Sequence, residues 1–545
     1  MPARDKFIVV ALIGLLAAVS VGAVFLERAE RTGIVPANGG TYIEGVVGAP
    51  QYLEPVLAAT DVDQDVVRLA FAGLTQLDRD GSVVPDLATF TTDADGKVWT
   101  FTIRDDATWH DGQPVTAADV VYTVTLVQDK AYVGPYSDAF RGVIVSALGP
   151  RVVRFTLPGA FGSFAANTTL PLMPAHSLIG VGYNELPRQP FNLRPVGAGP
   201  FRVVEADARQ VTLARNDDYY KVHPERARPY LDRVVLRSYP GASEALTALS
   251  RGEIDGVGGL STADAERART FKNVSLYSFP TSDYTALFFN VRPDKTTFRD
   301  RAVRLAIATA IDKGHVLDLA ADGRGRVADE LVPPTSWAYV KDIKRYDRSL
   351  DEARRVLDEA DWKDHDGDGV RDKGGVKLAF GISTSDEPSR VSAALEIIDD
   401  LKQIGIAATL RAVPFNDLIE KVVAERSYDA LLIGISGGDD PDPYPLFHSS
   451  EIADPGHNFA GYFTLPLDRA LENSRRTSDQ AKRLELLTQV FQQVATEAPV
   501  VFLYFSDYLY AQSKLVQGLR IMPITSPSDR LWNVQDWYVR TSVQR

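Results

Sequence analysis

The chain has no cysteine among its 545 residues. That absence excludes disulfides, thiolate nucleophiles and every cysteine-based zinc site. It also excludes the lipidated cysteine that tethers many exported proteins. Histidine is scarce as well: seven residues, scattered, with no H-E-x-x-H and no H-x-H. No G-x-x-x-x-G-K-[ST] loop is present, so nucleotide hydrolysis would belong to a separate chain. Positive charge is in deficit. Lys and Arg number 59 against 72 Asp and Glu, a net charge of −13, which argues against neutralising a run of phosphates and so against nucleic acid. The plain meaning of that charge is solubility.

What is present is ordinary globular material, 45% hydrophobic and 24% charged, long enough for two or three domains. One segment stands apart. Phe7 to Leu26 runs for twenty residues without a charge, enough to span about 30 Å of hydrocarbon as a helix. Arg4 and Lys6 precede it, which predicts a cytoplasmic stub at 1–6 and export of the bulk. Ala18-Val19-Ser20 has the form of a cleavage site but lies inside the run, and Glu27-Arg28 follows it. The expectation is an uncleaved signal anchor at 7–26 and a tether at 27–40, with Pro36 and Gly39-Gly40 near its end.

Beyond residue 40 the patterns alternate between strand and helix. Trp99, Phe101 and Ile103 alternate with Thr100, Thr102 and Arg104, the period of a half-buried strand. His110-Asp111-Gly112 is a turn, and Thr116-Ala117-Ala118-Asp119 opens a helix like a capping box. Later, Leu378–Ile382 has strand length, and Val391, Ala394, Leu395, Ile398 and Leu401 form a helical stripe closed by Gly405. Ile406–Val413 returns as a strand, Asn416 caps a further helix, and Ala430–Ile435 is fully apolar. This βαβαβ order predicts an α/β fold with a wound, partly parallel sheet. Ligands bind such sheets beyond the carboxyl ends of strands. The segment leaving the last strand, Ser436-Gly437-Gly438-Asp439-Asp440-Pro441-Asp442-Pro443, is acidic and stiffened by proline, and is the first place to look for a ligand.

Two motifs suggest other chemistry. Gly434-Ile435-Ser436-Gly437-Gly438 fits G-x-S-x-G, with His448 and His457 downstream. A nucleophile elbow needs a helix straight after its serine, and Pro441 and Pro443 would break one, so a hydrolase is disfavoured. Asp364, Asp366, Asp368 and Asp372 with Gly369 follow the oxygen spacing of a calcium loop, although Gly375 stands where the bidentate glutamate belongs. The alternatives are a structural calcium site and a plain acidic hairpin.

The stretch VWTFTIRDDATWHDGQPVTAADVVYT resembles the signature of extracellular solute-binding proteins of family 5, the peptide/nickel group of ABC-importer capture subunits. Leu53-Glu54-Pro55, Gly73-Leu74-Thr75, Pro85-Asp86-Leu87-Ala88, Gly199-Pro200-Phe201 with Asn216 and Tyr219, Gly252-Glu253-Ile254-Asp255, Phe298 to Ala306 and Asp440-Pro441-Asp442-Pro443 match further motifs in order. The resemblance implies a two-lobed, type II-like periplasmic-binding fold. Lobe I would take 41–71, 196–283 and 513–545, with 72–195 inserted as an extra domain, and lobe II would span 284–512. Hinges are expected near Thr285 and Lys514. It implies a monomer at the outer face of the cell membrane, periplasmic or extracellular. Such a protein captures a peptide and delivers it to permease and ATPase subunits without covalent chemistry or a cofactor. Nickel chelates, oligosaccharides and a tethered sensor or chaperone-like role are the alternatives. Carried onto this chain, the cleft walls are Ala59-Thr60-Asp61 and Gly434-Ile435-Ser436. The aspartate with which relatives hold a peptide's amino group falls on Gly437 here, with Asp61, Asp439 or Asp440 as substitutes.

Overall fold

The computed structural model of the chain describes residues 34–221, 228–438 and 440–543. The run at 7–26, and the anchor expected there, lie outside them. Among the described residues no helix is long and apolar enough to cross a membrane.

Eleven strands form the main sheet: β1 (Thr41–Val47), β2 (Phe201–Ala206), β3 (Gln210–Arg215), β4 (Arg233–Tyr239), β5 (Gly256–Gly258), β6 (Val274–Phe289), β7 (Gly325–Val327), β8 (Ala379–Ser385), β9 (Ala407–Val413), β10 (Ala430–Ile435) and β11 (Val500–Ser513). Their order is β9-β8-β10-β6-β11-β5-β1-β4-β3-β2, with β7 paired to β11 off that path. Two strands are far longer than the rest, β6 with 16 residues and β11 with 14. They pair antiparallel, and the pairing breaks between Pro280 and Tyr284, opposite Asp507 and Phe505. On one side of the break β11 joins β5, and β5 joins β1 in parallel. On the other, β6 takes β10, and β8 lies parallel to both β10 and β9. One sheet is thereby divided into two halves that share two crossing strands.

The two-residue period of β6 shows how its sequence builds both sides of the second half. Leu287 and Phe289 enter one core with Ile382, Ile397 and Leu432, while Ala286 and Phe288 enter another with Leu431, Phe459 and Phe502. The first half has a single larger core that runs without a break from Tyr42 and Val66 through Trp99, Phe101 and Phe164 to Trp537. The segment 72–195 is therefore packed onto lobe I as one hydrophobic unit. Its own four-stranded sheet includes Val98–Ile103, as the alternation predicts. The crossing in β6 falls close to the expected Thr285, but that in β11 falls at Ser506–Asp507, ahead of Lys514. The strand is continuous across both halves, so no loop marks the change.

The turn at His110 fastens the insertion. His110 Nε2 donates to the Gly199 carbonyl (3.0 Å), and Nδ1 accepts from the Gly197 amide (3.1 Å). Burial pushes the imidazole down to about 4, which keeps it neutral and able to do both. Gly197 passes so close to the Ala70 carbonyl that a Cβ would sit 1.8 Å from its oxygen. The helix Ala117–Val127 starts at the expected capping box of Thr116 and Asp119. The other expected cap, Asn416, differs. The helix there begins at Phe415 behind Pro414, with no side-chain cap, and continues as a π-turn over Leu418–Val423.

Candidate functional site

Lobe I presents the helix Asp61–Ala70 to the space between the two halves. Its start is set by Thr60, whose hydroxyl accepts from the Asp63 amide (3.2 Å). Asp63 in turn accepts from the amides of Gln51 (2.7 Å) and Tyr52 (3.1 Å), and Glu54 accepts from those of Val56 (2.7 Å) and Leu57 (3.0 Å). Burial pushes the Glu54 carboxyl up to about 7. Further along the same helix Asp65 binds the buried Arg530 at 2.6–2.7 Å, and Glu44 holds the other side of that guanidinium at 2.9–3.0 Å. Tyr42 and Tyr510 both donate to Glu44. Two carboxylates around one arginine are stable in a core only when fully hydrogen-bonded, which these are. The ion cluster fixes the helix against β1 and the C-terminal segment.

A cavity of about 740 Å³ lies between this helix and lobe II. Its lobe I side is lined by Gln64, Val67, Arg68 and Phe71, by the hairpin tip Asp78–Gly81, and by Ser528, Asp529 and Trp532. Ala59, Thr60 and Asp61 are not among the lining residues. Thr60 caps the helix with its hydroxyl, and the lining begins one turn further along, at Gln64.

The lobe II side is the end of β10 and the segment after it. Gly434, Ile435, Ser436, Gly437 and Asp440 all line the cavity. Among the described residues β10 pairs with β8 only at Ala430 and Leu431, so its last residues keep one edge without a neighbouring strand there. Asp283, in the hinge of β6, accepts from Ser436 Oγ (2.9 Å) and from the Gly437 amide (3.1 Å). Gly437 lies against Ser282, whose backbone a Cβ would meet at 2.4 Å, so an aspartate does not fit this backbone path. Asp440 accepts a bidentate pair from Arg483 (2.6 and 2.7 Å) and a bond from Ser163 Oγ (2.9 Å). Asp442 is held by Arg475 at 2.6–2.7 Å. Asp439 lies outside the described residues.

Of the motifs with other chemistry, the serine one separates. Ser436 donates to Asp283, no helix follows it directly, and His448 stacks on Tyr444 and bonds Ser450. The aspartate loop is partly assembled. Carboxylate oxygens of Asp364, Asp366 and Asp368 lie within 4.8 Å of one another, all on exposed residues. Asp364 also accepts from the amides of Gly367 (2.8 Å) and Gly369 (2.9 Å). Lys377 occupies the cluster, with Nζ 2.6 Å from Asp366 and 2.8 Å from Asp368. Asp372 stands apart, accepting from the backbone and ring of His365 (both 3.1 Å).

Besides the lobe I lining residues, Asp283, Ser163, Arg475 and Arg483, which hold the lobe II side of the site, have no signal in the local sequence. Each is joined to its partner across a distance in the chain that no local pattern reports.

One cleft between two lobes, joined by paired strands whose register breaks between Pro280 and Tyr284, is the architecture of a two-lobed solute-binding protein. The model of bacterial extracellular solute-binding proteins, family 5 Middle, matches residues 82–454, and the chain belongs to that family. It is 29% identical over 523 residues to the oligopeptide-binding protein AppA of Bacillus subtilis (strain 168), covering 94% of each chain. The structure of that protein in complex with a nonapeptide aligns with a TM-score of 0.68, covering 93% of this chain and 100% of the other. NikZ of Campylobacter jejuni in complex with Ni(L-His) is 26% identical, with a TM-score of 0.70 and coverage of 91% and 99%. The dipeptide-binding protein of Escherichia coli (strain K12) is 24% identical over 474 residues, covering 81% and 84%.

Proposed function

We propose that this chain is the peptide-capturing subunit of an ABC importer. It binds a peptide in the interlobe cleft, closes on it and presents it to a permease whose partner ATPases drive transport. The reading rests on one observation above all: the carboxyl end of β10, with an unpaired edge, forms a wall of the cavity. An extended peptide added to such an edge gains main-chain hydrogen bonds whatever its side chains, which yields affinity without sequence selectivity. The names of the relatives support it: AppA is an oligopeptide-binding protein, and the Escherichia coli relative binds dipeptides. A cavity of about 740 Å³ falls within the usual range for small ligands, roughly 300–1,000 Å³, and suits a short peptide.

The working place of the chain is the outer face of the cytoplasmic membrane, held there by the run at 7–26. A nickel chelate is the competing ligand, supported by NikZ and by His457 in the cavity lining. Calorimetry with di- to pentapeptides and with Ni(L-His) separates the two. Peptide binding that is lost in Ser436→Trp, which fills the wall, supports the proposal. Binding of the chelate and of no peptide refutes it.

A further inference from the structure

Lobe II carries a compact group of side chains beside the cleft that receives two separate parts of the inserted segment. Arg483, 5% exposed, projects from the helix Gln480–Glu497 and grips Asp440 with both terminal nitrogens. Its guanidinium lies 5.4 Å from the centre of the Trp337 ring. From the inserted segment, Ser163 Oγ donates to the outer oxygen of the same Asp440 (2.9 Å). The neighbouring Gly162 amide donates to the Arg475 carbonyl (2.7 Å). At the other part, the Asp80 carbonyl at the hairpin tip accepts from the Trp337 amide (3.1 Å). The fit at Gly162 is close enough that a Cβ would stand 1.6 Å from the Thr477 carbonyl oxygen. No other residue could sit there with the lobes in this position.

We propose that Asp440 is the catch of a closure latch, preset by Arg483, and that Gly162-Ser163 of the inserted segment is the bolt. Asp440 is then a positioning residue: it holds the lobes together around whatever occupies the cleft and does not read a ligand's charge. Arg483 already neutralises the carboxylate and satisfies one lone pair on each oxygen, so Asp440 has no charge to spend on an ammonium ion. Ser163 supplies a bond that runs from the inserted segment to lobe II, and separating the lobes there would break it. Because the bolt and catch are both protein groups, the latch engages without ligand, and a fraction of the empty protein is closed. Capture then proceeds with part of the closing free energy already supplied by the protein, which deepens the reading of the cleft as a closing site.

The test needs no ligand, so its failure is distinct from failure of the peptide assignment. The chain lacks cysteine, which allows spin labels at Ile179→Cys in the inserted segment and Leu465→Cys in lobe II, both strongly exposed. Pulsed electron–electron distance measurements on the ligand-free full chain should show a short, closed population. Ser163→Ala should lower the closed-to-open ratio about tenfold, the factor carried by a hydrogen bond to a charged group, with an unchanged melting temperature. Gly162→Leu should remove the short population altogether. Ligand-free protein with no short distance, or distributions that neither substitution alters, would overturn the proposal.

Discussion

One oxygen of Asp283 binds both the Ser436 hydroxyl (2.9 Å) and the Gly437 amide (3.1 Å), so the hinge of one crossing strand holds the wall of the cleft directly. A carboxylate from the neighbouring strand thus lies against the backbone at Gly437.

Breaking this link should loosen the wall without unfolding the lobe. Asp283→Ala removes an ionised acceptor of two hydrogen bonds, each worth about 1.5–3 kcal/mol when the partner is charged. Peptide affinity by calorimetry should fall at least tenfold, and Asp283→Asn, which keeps an acceptor oxygen, should recover part of it. An unchanged affinity in the alanine variant would mean that the bond does not position the wall.

The buried Glu54 should give stability a pH dependence. Its carboxyl is pushed by burial from 4.5 up to about 7. A folded-state value above the unfolded one means that its stabilising contribution is complete below 4.5 and is lost as pH rises through 7. This one group should therefore cost on the order of 3 kcal/mol between pH 4.5 and pH 8. Glu54→Gln should start lower at pH 5, having lost an acceptor for one amide, and show a flatter profile of melting temperature up to pH 8. A wild-type profile as flat as that of the variant would contradict the argument.

Calcium must displace Lys377 to enter the aspartate loop, because the ammonium already bridges Asp366 and Asp368. The wild type should thus gain little melting temperature from millimolar calcium. Lys377→Met should gain a calcium-dependent rise, about 2.7 kcal/mol at a hundredfold excess over Kd. A large rise in the wild type that Asp366→Ala with Asp368→Ala abolishes would make the loop a calcium site.

If the uncharged run at 7–26 serves as an uncleaved anchor, as proposed, the amino terminus is retained. N-terminal sequencing of the membrane-extracted protein should begin within residues 1–6. A start near Val21 or Gly40 would show a cleaved leader instead.

Much of the fold is legible in local pattern. The alternation around Trp99 and Phe101 gives a strand, and the apolar run Ala430–Ile435 is a strand to the residue. The capping box at Thr116 starts a helix where expected. The one at Thr60 is equally readable, since Asp63 follows at the right spacing. What local pattern does not carry is the choice of distant partners. Ser163 and Asp440 are 277 positions apart, and nothing around either marks a serine as the bolt for that carboxylate. The same holds for Asp283 with Gly437 and for the break in β11, where a continuous strand changes lobes without a loop.

The central claim, capture of a peptide between the lobes, is tested most directly by native mass spectrometry of the protein as purified. The bound mass is then identified after denaturation and release. The account predicts short peptides of mixed sequence on the wild type and their loss from Ser436→Trp. A metal chelate or oligosaccharide in place of peptide, or peptide retained equally by the variant, would contradict it.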